Sequence, residues 1–376
     1  MNDSNLFDKS EIGEDLQYLT EQIITYIGNK RTLLPLIGDS VKEVCDQLHQ
    51  RQLDILDVFS GSGIVSRYLK QYSKILYSND LEGYCKTINS CYLKNRSEID
   101  MARLRSVYEK IKKETIEQLK SGFITEMYAP HDDSNIQQGE RVFYTHRNAM
   151  YIDTCRQLIS KVQSEFRDLL LAPLLYEASV HTNTSGVFKG FYKNSTTGIG
   201  QFGGNGKNAL TRIMSDIEIP FPVFSAYECE THVLQQDANL LYSQVPEVDL
   251  AYLDPPYNQH PYGSNYFMLN VINDYKKPER VSEVSGIPTD WNKSLYNQKK
   301  LAKQTFSDLC NNLKAKFLLI SFNSEGFISK DEMMEVLSEI GKVSVVSTPY
   351  NTFRGSRNLN QRDIHVTEFL YLVKKR

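Results

Sequence analysis

An α/β sandwich built on a mostly parallel central sheet is what this sequence predicts, and three observations predict it. Short apolar runs at residues 53–59, 74–78, 249–253 and 317–322 each have the length of a buried strand. Stretches of helical spacing fall between them, the pattern that lays helices on the faces of a parallel sheet. The residues with chemical character gather just after the apolar runs, at positions 60–63 and 254–257 and at Asp80 and Asp237. In sheets of this kind, ligands sit at the carboxyl ends of the strands.

The elements follow in chain order. Residues 1–18 read as a polar lead-in, with no apolar stretch of the kind that directs secretion. Residues 33–48 are amphipathic with helical spacing. The run 53–59 reads as strand, 60–63 as a glycine turn and 64–72 as helix, which together open a βαβ unit. A second strand is expected at 74–78, ending in Asn79 and Asp80. Highly charged helical sequence fills 88–120, residues 122–141 are polar and irregular, and 151–176 is helical again. Residues 186–207 mix Gly, Asn, Lys and hydroxyl side chains with Phe188, Phe191, Tyr192 and Phe202, and read as an exposed loop or hairpin. Residues 233–235 lead to Asp237, and 249–253 and 317–322 are strands. Residues 343–347 and 368–373 suit a closing hairpin pair.

With 376 residues the chain has room for a core domain plus an insertion, and 40% hydrophobic residues suffice to bury that core. Its net charge of −3 does not by itself announce nucleic acid, so any such surface must concentrate positive charge on one face. Residues 103–120 could supply it, as could the C-terminal Arg354, Arg357, Arg362, Lys374, Lys375 and Arg376. The same residues also fit a solvated helix face and a charged tail. Six scattered cysteines form no C-x-x-C pair and no Cys/His cluster with zinc spacing. They read as reduced thiols, and no metal is expected. No apolar run approaches the roughly 20 residues that span a bilayer, so a cytoplasmic protein is expected.

Asp254-Pro255-Pro256-Tyr257 follows an apolar strand. The two prolines lack N–H donors and fix their own φ, so they end the strand and stiffen the loop. Asp254 offers a carboxylate acceptor and Pro255 a carbonyl. Two acceptors can take both hydrogens of an amino group and draw its nitrogen toward tetrahedral geometry, and Tyr257 can stack on a planar ring. Taken alone, the four residues equally describe a proline turn. In Asp57-Val58-Phe59-Ser60-Gly61-Ser62-Gly63 the glycines let backbone approach a ligand closely, without the spacing of a dinucleotide or phosphate loop. That suits a small zwitterionic, nucleoside-bearing ligand, or else a generic βα turn. Asp80 stands where such folds place an acceptor for ribose hydroxyls, and Asp237 could accept from an adenine amino group. Just before the first strand, Tyr26-Ile27-Gly28-Asn29-Lys30 offers a ring to pack on a cofactor and an ammonium to reach a carboxylate.

Together and in this order, these segments resemble the alpha-group, Dam-type amino-methyltransferases that modify adenine N6 in DNA. Tyr26-x-Gly28-x-Lys30 with Leu33-Leu34-Pro35 is similar to their N-terminal cofactor motif. Asp57-x-Phe59-x-Gly61-Ser62-Gly63 is similar to their methionine-binding motif, and Asp254-Pro255-Pro256-Tyr257 to their catalytic motif. Further likeness lies in Asn265-Tyr266 with Leu269-Asn270, in Ser321-Phe322-Asn323 and in Glu368-Phe369-Leu370. The resemblance is specific over residues 20–85 and 235–325 and loose between them.

It implies a seven-stranded Rossmann-like methyltransferase sheet. S-adenosylmethionine would be held by Tyr26, Lys30, Asp57, Phe59, Gly61, Gly63, Asp80 and Asp237. Asp254, Pro255, Pro256 and Tyr257 would handle a flipped adenine of double-stranded DNA. Residues 19–90 and 230–376 would form the catalytic domain. Residues 91–229 would be an insertion carrying the target-recognition region, with 170–229 equally suited to the core. The reaction would be direct, in-line transfer without metal or covalent intermediate. Lys189 and Lys193, interleaved with Phe191 and Tyr192, and Arg354 and Arg357 in the loop 352–362 are the expected DNA contacts. The resemblance leaves room for a cognate restriction endonuclease as partner. The rival readings are methylation of cytosine N4 or of RNA adenine, and a silent DNA-binding module on the same fold. A Rossmann-fold oxidoreductase is disfavoured by the missing G-x-G-x-x-G.

Overall fold

A computed structural model describes residues 13–376 apart from 205, 208 and 352–364. Seven strands form one sheet: β1 (Leu53–Asp57), β2 (Ser73–Asp80), β3 (Glu230–Gln235), β4 (Val248–Leu253), β5 (Ala315–Asn323), β6 (Gly341–Asn351) and β7 (His365–Lys375). Their order is β3-β2-β1-β4-β5-β7-β6. The pairings from β3 through β5 are parallel, and β7 runs antiparallel to both β5 and β6, the closing hairpin expected from the sequence. The order turns back between β1 and β4, which opens a crevice at their carboxyl ends.

Strand side chains alternate between two apolar layers, as the period of two requires. Leu53, Ile55, Leu76, Leu250, Tyr252, Phe317, Leu319, Leu370 and Leu372 enter one core. Leu56, Val58, Ala251, Leu253, Leu318, Ile320, Phe322, Tyr371 and Val373 enter the other. Because both faces are covered, β4 is buried at every position. The second core is closed by the helices Lys299–Asn312 and Lys330–Ile340, through residues such as Phe306, Leu309, Met333 and Leu337.

The first core is much larger. It takes in the amphipathic helix Leu34–Leu48, the helices Ile64–Leu69 and Gly83–Tyr92, and Phe267–Asp274. Most of the stretch 91–229 packs there too, through the helices Met101–Glu117, His146–Ser160 and Ser164–Val180. The sequence reads 88–120 as one helical run, yet the structure breaks it after Tyr92. Asp100 accepts from the Arg103 N–H and starts a new helix there. Within the segment read as irregular, Phe123–Tyr128 is helical. Its N-terminus is held from afar, because buried Asp153 accepts from the backbone N–H groups of Gly122, Ile124 and Thr125. The polar lead-in also ends earlier than expected. Leu16–Thr20 forms a short helix whose Tyr18 and Leu19 are fully buried.

The basic stretch 103–120 lies mostly on an exposed helix face, where Lys110 and Lys113 pair with Glu114 and Glu117 and Lys112 pairs with Glu218. Cys85, Cys91, Cys155, Cys229 and Cys310 are buried free thiols, and Cys45 is partly exposed. Among the described residues no helix is long and apolar enough to cross a membrane.

Candidate active site

The glycine turn after β1 is set by three constraints. The Ser60 N–H donates to the Asn79 carbonyl at the end of β2, over 2.8 Å. The Gly61 N–H donates to Asp80 Oδ2 over 2.8 Å. Gly61 and Gly63 have φ of +51° and +80°, where a side chain is strained. Space excludes one as well. A Cβ on Gly61 would lie 2.8 Å from the Tyr26 ring, and one on Gly63 would lie 2.5 Å from Asn89 Oδ1. The two glycines thus serve different neighbours: Gly61 admits the Tyr26 ring, whereas Gly63 admits Asn89, whose amide donates to Ser60 Oγ over 3.1 Å.

The turn forms one wall of a cleft with roughly 1220 Å³ of empty space, its open mouth included. Tyr26, Lys30, Phe59, Gly61, Asp80, Asp237, Asp254 and Pro256 all line it. Asp57, Gly63, Pro255 and Tyr257 do not. Asp57 is fully buried behind the turn, where its Oδ2 accepts from Ser66 Oγ over 2.6 Å. Burial pushes its carboxyl up to about 7 against the opposing effect of that hydroxyl. It is tied to the helix Ile64–Leu69 behind the turn through Ser66. Tyr257 packs edge-on against Phe322, with ring centroids 6.3 Å apart.

Asp80 is also engaged more than its position suggests. One oxygen takes the Gly61 N–H and the other the Glu82 N–H, over 2.8 and 2.9 Å. The sequence reading missed Glu82, which lines the cleft while 3% exposed. Its Oε2 accepts from the side-chain amides of Asn270 and Asn292 over 2.5 and 3.0 Å, and burial pushes its carboxyl up to about 7. Asn270 lies in a segment already singled out by its likeness, but nothing near Asn292 signals such a role. Asp237 accepts from the Asn239 N–H over 2.9 Å. Asn239 in turn accepts from the hydroxyl of Tyr296, on whose ring Phe59 rests edge-on at 5.3 Å.

Beside the turn Tyr26 stacks with Tyr262 and Tyr266, at centroid distances of 4.9 and 4.7 Å. Both partners come from beyond the Asp-Pro-Pro-Tyr segment. The Tyr266 hydroxyl accepts from the Ile27 N–H and the Tyr262 hydroxyl donates to the Ile27 carbonyl, so the N-terminal segment is fastened to the loop after β4. Lys30 then reaches the end of β4. Its Nζ is 2.9 Å from Asp254 Oδ1, where Lys30 is 4% and Asp254 20% exposed at the side chain. Burial raises the Asp254 carboxyl to about 6 even though the Lys30 charge opposes the rise.

Lys189 and Lys193 are exposed on the segment 186–207, which is anchored by Phe188, 1% exposed, against Phe143, Tyr266 and Phe267. Lys193 lies over the Phe191 ring at 5.1 Å. Burial and the Lys189 charge together hold His260, in the loop after the Asp-Pro-Pro-Tyr segment, below its usual value. Neither lysine lines the cleft. Arg354 and Arg357 lie outside the described residues. Among the described residues no cluster of His, Cys, Asp or Glu could hold a metal ion.

Comparison with known proteins agrees with this geometry. Residues 26–336 match the D12 class N6 adenine-specific DNA methyltransferase family. The type II methyltransferase M.CviAII of Paramecium bursaria Chlorella virus 1 is 30% identical over 93% of this chain and 98% of its own length. M.NlaIII of Neisseria lactamica is 28% identical over 94% of this chain and 99% of its own. M.FokI of Planomicrobium okeanokoites is 27% identical over 93% of this chain, which spans 52% of that longer protein.

Proposed function

The chain belongs to the D12 class N6 adenine-specific DNA methyltransferase family, and from that premise we propose how its own residues carry out site-specific adenine methylation. The methyl donor is S-adenosylmethionine. The cleft fits it in chemistry: its walls combine a glycine turn with carboxylate acceptors at Asp80, Glu82 and Asp237. Asp80 is largely engaged by backbone, so Glu82 is the better placed acceptor for sugar hydroxyls. Asp237 and Phe59 suit the edge and face of an adenine ring. When bound, the donor supplies an activated methyl group on sulfur.

The observation that carries the reading is Asp254, a carboxylate on the cleft wall held in place by a buried ammonium. Asp254 accepts a hydrogen bond from the target N6 amino group and lets its lone pair develop toward the methyl carbon. Pro256 stiffens the loop that presents it. Lys189 and Lys193 contact DNA phosphates beside the mouth, and part of 91–229 reads the sequence. A cognate endonuclease acting at the same site fits the type II methyltransferase relatives. The test is single-molecule sequencing of DNA from a host without adenine methylation, with and without this protein expressed. N6-methyladenine in one recurring motif is expected; folded protein that leaves every adenine unmodified would sink the reading.

A pH dependence follows from Asp254. The ionised carboxylate is the stronger acceptor for an amino group and the neutral acid presents an O–H in its place, so the single-turnover rate should hold level above about 6 and fall as pH drops through it. Removing the opposing charge with Lys30→Met raises the Asp254 pKa further. The acid limb of that variant should therefore move to higher pH. A limb that stays in place would mean that another group controls it.

A further inference from the structure

Lys30 has a second carboxylate at hand. Glu368 Oε1, on β7, lies 3.5 Å from Lys30 Nζ and is 3% exposed at the side chain. The same oxygen accepts from Ser321 Oγ on β5 over 2.7 Å. The two strands are in register there, Asn323 facing Glu368 across the antiparallel pair. A rigid part of the sheet thus fixes Glu368, while Asp254 sits on a loop and is the more exposed of the two carboxylates.

We propose that Glu368 is a positioning residue for the transfer, which shares the Lys30 ammonium with Asp254 so that the cation aims this carboxylate without neutralising it. At 2.9 Å Lys30 already donates to Asp254, and without Glu368 at 3.5 Å more of the ammonium charge would fall on that one carboxylate. Such a carboxylate is a weaker acceptor for an incoming amine, because its charge is already spent on the ammonium. With Glu368 drawing on the same cation, Asp254 keeps more of its charge for the substrate. The inference rests on the role given to Asp254 above.

The groups around Asp254 bear on the test. Asp57 lies behind it on β1, and the hydroxyls of Tyr252, Tyr257 and Tyr262 surround it, all raised by burial and therefore neutral through the acid range. Asp57 titrates near the same range, but it is common to wild type and variant, so the difference between their profiles isolates Glu368.

The experiment compares wild type, Glu368→Gln and Ser321→Ala in single-turnover methylation across the acid-to-neutral range. Donor affinity by calorimetry with S-adenosylmethionine and melting temperatures are measured alongside. Glu368→Gln keeps the shape and an acceptor for Ser321, and it removes only the charge. Its plateau rate should fall about tenfold, and its acid limb should move down by roughly half a pH unit or more. Donor affinity should hold within about twofold. Ser321→Ala takes away the other donor on Glu368 and strengthens its pull on Lys30, so its limb should move the opposite way, upward. A Glu368→Gln limb that stays or rises overturns the proposal. So does a rate loss that merely follows a lower melting temperature and weaker donor binding. An active Asp254→Asn enzyme would instead remove the reading on which the proposal stands.

Discussion

Asp254→Asn should lower the single-turnover methylation rate by about 10²–10⁴-fold, the span that one positioned proton acceptor commands. The substitution keeps the shape of the side chain and removes its charge. The amide oxygen is a weaker acceptor, and the amide nitrogen would repel the amino group it faces if the side chain turned over. The change also removes a carboxylate 2.9 Å from Lys30 and leaves Glu368 at 3.5 Å. The donor should still bind, because the glycine turn, Asp80, Glu82 and Asp237 lie on the other walls of the cleft. Single-turnover kinetics with the preformed donor complex separate the two effects, with calorimetry for the donor alone. A variant that keeps more than about a tenth of the wild-type rate would remove Asp254 from the chemistry.

The parts of the site legible in the sequence are those fixed by local chain chemistry. A strand that runs into a glycine turn, or into two prolines, declares both its own end and the loop that follows. This placed Gly61, Asp80, Asp237, Asp254 and Pro256 on one cleft. The order of strands was not legible, since register and neighbours depend on contacts far apart in sequence. What escaped is of the same long-range kind. The stack on Tyr26 is built by Tyr262 and Tyr266, and Glu82 is fastened by Asn270 and Asn292, all beyond position 260. Likewise the helix Phe123–Tyr128 owes its start to Asp153. Two residues of the glycine segment, Asp57 and Gly63, do not line the cleft. Motif position does not specify which way a side chain leaves the strand end, and Asp57 leaves it toward Ser66. Gly63 is required by Asn89, a residue one helix further on.

Arg67→Met should be the most destabilising single change near the site, although Arg67 does not line the cleft. Arg67 is fully buried. Its guanidinium donates to the carbonyls of Tyr18, Glu21 and Gln22, each over 2.9 Å, and lies over the Tyr92 ring at 3.8 Å. Burial lowers its pKa. Methionine fills similar space but strands the buried carbonyls of Tyr18 and Gln22, each at a cost of about 1–3 kcal/mol, and the part-buried one of Glu21. A loss of several kcal/mol is expected, a large share of the roughly 5–15 kcal/mol that holds a typical domain folded. The loss has a direction as well as a size. The three carbonyls belong to the segment that leads into Tyr26 and Lys30, so its loosening should reach the cleft before the sheet melts. Urea unfolding measures the stability, and donor calorimetry at low urea measures the cleft. Arg67→Lys retains the charge but lacks the fork that serves three acceptors, and should fall between wild type and Arg67→Met. Equal stability of all three proteins would show that the N-terminal segment is held by its apolar contacts alone.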